Sequence, residues 1–154
     1  MAGTDFHEDD DPPPPRPPFA DLPPPPPDVQ PSGEVYDWFQ RGMVLLENGD
    51  LHAAVEVLTR ASAAVPESRS VLEALARAQF DAGMYAEAKV SFTRIVEINP
   101  ADDYAQFGLG LAAARVDDLD TAIEHLALAA AMRPDVAHYA TALRGARATK
   151  AARR

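Results

Sequence analysis

The sequence contains no cysteine. Disulfides, thiolate nucleophiles, zinc knuckles and iron–sulfur ligation are therefore excluded. No stretch approaches 18 uninterrupted apolar residues, so no membrane-spanning helix is expected. The first residues lack a basic start followed by an apolar run, which argues against a secretory signal. Gly3 stands one place too late for the myristoylation pattern. Histidine is scarce: His7, His52, His125 and His138 lie far apart, with no pair at metal-ligand spacing on one helix. Glycine-rich phosphate cradles are missing as well. Asp117-Asp118-x-Asp120 does not continue into a calcium loop and reads as a helix cap. An enzyme needs a convergent set of acids, bases or nucleophiles, and none is visible. The expectation is a cytoplasmic protein that is not an enzyme, with no cofactor and no metal.

What the chain does have is unevenly distributed. Of its 15 prolines in 154 residues, twelve fall within the first 31. Residues 1–33 carry a net charge of −6, residues 34–136 of −9, and residues 137–154 of +5. Between Pro12 and Pro27, eleven of sixteen residues are proline. Proline donates no N–H and has a fixed φ, so this stretch cannot enter a helix or a sheet interior. The reading is a disordered, acidic, proline-rich tail over 1–33, with a polyproline II reach of roughly 50 Å. Phe6, Phe19 and Leu22 are the large apolar side chains in this tail. They are the points at which it could dock, and the alternative is a solubilising bristle.

From Val35 onward the sequence repeats itself. Pro66, Pro100 and Pro134 are spaced at 34 and 34, as are Ala54, Ala88 and Ala122. Leu58, Phe92 and Leu126 keep the same register, as do Leu51, Tyr85 and Leu119, and the small residues Gly42, Ala76 and Gly110. Within the second unit, Leu72, Leu75, Ala76 and Gln79 recur at helical spacing. Gly83 breaks that helix, and Ala88, Phe92 and Ile95 form the face of a second one. Gly42, Ala76 and Gly110 are small where the two helices of a hairpin cross, with the alanine series opposite them. Each proline stops a second helix, and Ser68 and Asp102 are placed to cap the next one.

A 34-residue helix–turn–helix period with Trp38-x-x-Arg41-Gly42-x-x-Leu45, then Ala54-x-x-x-Leu58 and Pro66, resembles the tetratricopeptide repeat (TPR). The resemblance is to a small, bacterial-type three-repeat protein. It implies an all-α fold, a right-handed TPR solenoid of three repeats at 35–68, 69–102 and 103–136. A capping helix over 137–150, carried by Val136, Ala140 and Leu143, completes a TPR domain spanning 34–150. Residues 151–154 remain as a basic terminus. Arg41, Gln106, Gln79 and Ala113 depart from the family pattern and are expected to loosen local packing.

The family's concave positions translate into Tyr36, Phe39, Met43, Leu46 and Glu47 in the first unit. The second gives Ser70, Glu73, Arg77, Phe80 and Asp81, and the third Tyr104, Phe107, Leu111, Ala114 and Arg115. His138 and Thr141 on the capping helix extend the set. Tyr36, Phe39, Tyr104 and Phe107 are expected to point into the groove, while Leu46, Phe80 and Leu111 are candidates for packing between helices. One subfamily grips a chaperone's C-terminal carboxylate with lysines, asparagines and an arginine. The matching positions here are Phe39, Met43, Ala74, Tyr104 and Gly108, so that activity is not expected. An aromatic groove with Arg77 and Arg115 suits a peptide with apolar anchors and some acidic residues.

The resulting expectation is a non-catalytic adaptor that holds a peptide segment of a protein partner, with the chain's own tail as a second occupant. Two alternatives stand beside it. Arg144, Arg147, Lys150, Arg153 and Arg154 form a cluster of bases that could contact RNA or the ribosome. Alternatively, the ends of the array could stack into a self-assembling scaffold.

Overall fold

The structure is a computed structural model that describes residues 18–19 and 33–153. The expected disorder of the tail over 1–33 concerns residues that, apart from Pro18, Phe19 and Gly33, lie outside this range, and Gly33 opens the first helix. Among the described residues there are seven helices and no strand. They are α1 (Gly33–Glu47), α2 (Leu51–Ala64), α3 (Arg69–Asp81), α4 (Tyr85–Ile98), α5 (Asp103–Arg115), α6 (Leu119–Met132) and α7 (Ala137–Ala152). Each packs mainly on its neighbours in sequence. This is the pattern of stacked hairpins that cannot bury their apolar faces alone.

The 34-residue register reappears in the backbone. Gly49, Gly83 and Asp117 occupy the same place in the three hairpin turns, and all have positive φ (79°, 78° and 67°). Each turn closes with two matching bonds: Gly49 N to Leu46 O and Asp50 N to Leu45 O in the first, and their counterparts in the others. Such a Schellman-type ending needs the left-handed conformation that glycine adopts freely. The third turn accepts it with an aspartate. At the other helix ends, Ser68 accepts a bond from Val71 N at 3.5 Å and Asp102 from Ala105 N at 3.0 Å, so both act as the expected caps.

The small-residue series does its work at the crossings. A Cβ on Gly42 would lie 2.5 Å from Leu58, and one on Gly110 would lie 2.6 Å from Leu126. The partner that demands the small residue is thus the Leu58/Leu126 series, whereas Ala54, Ala88 and Ala122 are simply fully buried. Gln79 and Gln106 do not loosen the packing. Both are buried and satisfied: Gln79 accepts from Ser91 at 2.6 Å, and Gln106 donates to Pro100 O at 3.0 Å and pairs with His125 at 2.6 Å. Buried polar groups that find hydrogen-bond partners substitute for the usual aromatic packing.

Helix α7 caps the array through the expected residues Val136 and Leu143 together with two neighbours that are more deeply buried. Its most buried residue is Tyr139, at 1% exposure, followed by Ala146, while Val136 and Leu143 are only partly covered. The Tyr139 ring lies 4.7 Å from Phe107, and its hydroxyl donates to Asp103 at 2.7 Å. The helix also runs to Ala152, past the expected end at residue 150.

Candidate functional site

The apolar interior divides into two clusters. The smaller one joins α1, α2 and α3 through Leu46, Leu58 and Leu75, with Phe39 and Met43 packed against it. The larger one spans α3 to α7 and contains a residue from outside the repeats, Phe19. Phe19 is only 4% exposed. Its ring centroid lies 5.4 Å from Phe80, 5.5 Å from Tyr104, 5.7 Å from Phe92 and 6.0 Å from Phe107. Phe80 and Phe107 meet it edge-on, whereas Phe92 and Tyr104 are tilted over it. These are the separations and angles that ring quadrupoles favour.

The pocket is assembled from three helices of two repeats. Phe80 comes from α3, Phe92 from α4, and Tyr104 and Phe107 from α5. Gly108 lets it form, because a Cβ there would stand 2.3 Å from the Phe92 ring. Arg115 borders it by lying over both Phe80 and Tyr85, 5.3 and 5.2 Å from their centroids, and donating to the Tyr85 hydroxyl at 3.0 Å. Leu111 is half-buried against the same cluster.

Beside the aromatic pocket runs a charged ladder on α3. Arg69, Glu73, Arg77 and Asp81 follow each other at four-residue intervals and so share one face. Arg69 reaches out of the ladder to Asp102, donating at 2.6 and 3.1 Å, and lies 5.8 Å from the Tyr104 centroid. Burial works against the Arg69 charge, but the hydrogen bonds to Asp102 and attraction to it hold the pKa above its usual value. Burial pushes the Glu73 carboxyl up, and Arg77, the Tyr104 hydroxyl and Arg69 offset this only partly. Burial also raises Asp81. Glu73 and Arg77 approach to 3.6 Å. Arg69 Nη1, Glu73 Oε1 and Arg77 Nε are buried and have no hydrogen-bond partner among the described residues.

Several concave residues expected from the sequence therefore meet in one place: Phe80, Tyr104, Phe107 and Leu111, with Arg115 at the edge and Glu73 and Arg77 alongside. Phe80 belongs to the pocket wall rather than to packing alone. Others do not join. Phe39 and Met43 face the first cluster, Tyr36 is 42% exposed, and His138 and Thr141 are exposed on α7. Arg77 and Arg115 are already engaged by Glu73 and by the Phe80 and Tyr85 rings, which weakens the expected preference for acidic residues. Phe92, in sequence a core residue of a second helix, becomes a wall of the pocket only through the α4–α5 packing.

The basic end is partly absorbed by the fold. Lys150 pairs with Asp120 and Arg153 with Asp117, joining the end of α7 to the α5–α6 turn and the first turn of α6. Arg144 donates to Thr141 at 3.2 Å, Arg147 is exposed, and Arg154 lies outside the described residues. Among the described residues, no helix is long and apolar enough to cross a membrane. No group of three or more His, Asp or Glu among them is arranged to hold a metal ion.

Stacked helical hairpins, each packed on the next, define a helical-repeat protein. The sequence profile of the tetratricopeptide repeat matches residues 39–90 and 74–137, and the chain belongs to that family. Its fold is similar to the first TPR of Spaghetti (RPAP3) bound to the HSP90 peptide SRMEEVD, with a TM-score of 0.72 at 18% identity. That match covers 80% of this chain and 99% of the other. The first TPR domain of human RPAP3 gives 0.70 at 19% identity, over 77% and 93%. MamA from Desulfovibrio magneticus RS-1 gives 0.73 at 24% identity, covering 76% of this chain and 66% of that one. No curated protein matches the sequence.

Proposed function

We propose that the protein is a non-catalytic cytoplasmic adaptor whose concave face holds a peptide segment of another protein. One observation carries this reading: the α3–α5 pocket accommodates an aromatic side chain from outside the repeats, burying Phe19 to 4% exposure. A cavity that fits one foreign phenylalanine can fit another, and buried aromatic anchors supply much of the free energy of peptide recognition. The RPAP3 repeat bound to an HSP90 peptide supports peptide binding as something this fold can do. It does not extend to the same ligand, because Phe39, Met43, Ala74, Tyr104 and Gly108 replace the polar grip for a terminal carboxylate.

The experiment is selection of a random displayed-peptide library on the full chain carrying Phe19→Ala, which empties the pocket. Peptides should be enriched, and binding should be lost when Tyr104→Leu is added. An empty selection, or binders indifferent to Tyr104→Leu, would contradict the reading.

A further inference from the structure

The Phe19 contact has both a chemical and a regulatory consequence. We propose that the α3–α5 pocket recognises a single unsubstituted phenylalanine in a proline-flanked segment, and that Pro18-Phe19 of the same chain is its resident competitor. This deepens the adaptor reading and rests on it.

The anchor chemistry follows from the walls. Three of the four rings around Phe19 are phenylalanines, and the hydroxyl of the fourth, Tyr104, is turned to Glu73. At 4% exposure the bound ring has almost no contact with water. A tyrosine there would have to bury its hydroxyl among these rings, and a hydroxyl left unpaired costs more than the added surface returns. The floor is equally restrictive. The Phe92 ring already fills the space over Gly108, so it has no room to retreat before a larger ring such as tryptophan.

The backbone of the occupant is also addressed. Arg69 lies over Tyr104, one wall of the pocket, and its buried Nη1 has no partner among the described residues, Pro18 and Phe19 included, so it remains for a carbonyl farther along the bound segment, whereas Arg77 Nε faces Glu73 at 3.6 Å. Arginine donors suit peptide carbonyls, which proline retains, whereas proline offers no N–H to compete for. A segment with prolines beside one phenylalanine therefore matches the pocket and Arg69 together, as Pro17-Pro18-Phe19 does in sequence.

The tether makes the competition effective. Thirteen residues lie between Phe19 and the start of α1 at Gly33, a reach of up to about 45 Å, while α3 is only about 20 Å long. The occupant can thus belong to the same chain. A linker of this kind gives an effective concentration on the order of millimolar. An external ligand must displace Phe19, and its apparent affinity is reduced by the fraction of pocket that the tail fills.

The test uses a fluorescent peptide of residues 14–24 against two full-length proteins, wild type and Phe19→Ala, with binding read by anisotropy. A control peptide carries the same Phe→Ala change, and light scattering follows the mass of each protein over a range of concentrations. The peptide should bind the Phe19→Ala protein at least tenfold more tightly than wild type, the control peptide should bind neither, and both proteins should remain monomeric. Equal binding to the two proteins, or no binding to Phe19→Ala, would overturn the resident-competitor inference. The adaptor reading would fall only if the library selection were also empty. A wild-type mass that doubles with concentration, while Phe19→Ala stays monomeric, would overturn the same-chain assignment and make a second copy the occupant. Replacing the peptide phenylalanine with tyrosine or tryptophan should weaken binding severalfold, and equal affinity would overturn the anchor specificity.

Discussion

Phe92 sits so tightly over Gly108 that a single added methyl carbon would come within 2.3 Å of its ring. The contact ties α4 to α5 and fixes the floor of the pocket that holds Phe19. Gly108→Ala must push Phe92 or separate the helices, a cost of about 1–3 kcal/mol for overpacking. Thermal unfolding should fall by several degrees, and binding of the phenylalanine peptide should weaken as well. Gly110→Leu should lower stability without narrowing the pocket, because its obstacle is Leu126. Calorimetry paired with anisotropy checks both outcomes.

The third hairpin turn carries strain that the other two avoid. Asp117 has φ of 67° where Gly49 and Gly83 stand in the equivalent turns. Asp117→Gly and Asp117→Ala both remove the ion pair with Arg153, but only glycine relaxes the backbone. The glycine variant should therefore be more stable than the alanine variant by about 1 kcal/mol in urea unfolding.

Glu73 sets a pH dependence. Its folded-state pKa lies above the unfolded value near 4.5, through burial opposed by Arg77, Tyr104 and Arg69, with Asp102 adding to the rise. The folded protein then holds more protons than the unfolded chain just above pH 4.5, so Glu73 makes stability fall as pH rises through that window. Glu73→Gln, which imitates the neutral acid, should flatten this slope and unfold at a higher temperature than wild type at pH 8. Asp118, which caps α6 and pairs with Lys89, behaves oppositely. Its pKa is held down at about 2, so its contribution is lost as pH falls below the usual 3.8. Melting curves of Asp118→Asn and Glu73→Gln from pH 3 to 8 separate the two.

The ion pairs of Lys150 with Asp120 and Arg153 with Asp117 are exposed. Lys150→Ala with Arg153→Ala should cost no more than about 1 kcal/mol at low salt, and the difference should vanish near 1 M NaCl. Because two of the five bases have acidic partners in the fold, RNA affinity should be weak. Filter binding at low salt, with Arg144, Arg147 and Lys150 changed to Glu as the comparison, checks this.

Much of the fold was legible because local signals agreed with each other. Pro66, Pro100 and Pro134 end helices, Ser68 and Asp102 start them, and Gly42 and Gly110 mark crossings, all within one period. Phe19 stands out as an apolar residue in a polar tail, and its ring lies in the α3–α5 pocket. Leu22 and Phe6 lie outside the described residues. The misses all concern contacts between helices, which a period cannot encode. Tyr139 turns inward because Phe107 and Asp103 meet it there. Gln79 and Gln106 are harmless because Ser91, Pro100 and His125 happen to face them. Phe39 and Phe107 share a repeat position, yet only Phe107 has α3, α4 and α7 close enough to form a pocket with it.

The central claim is that an aromatic side chain from outside the repeats occupies the α3–α5 pocket, and nuclear Overhauser contacts of the Phe19 ring in the full-length protein test it most directly. The account predicts cross-peaks from Phe19 to the rings of Phe80, Tyr104 and Phe107, with Phe19 protons displaced from their solvent-exposed positions by ring currents. Random-coil shifts for Phe19 and an absence of those cross-peaks would contradict it.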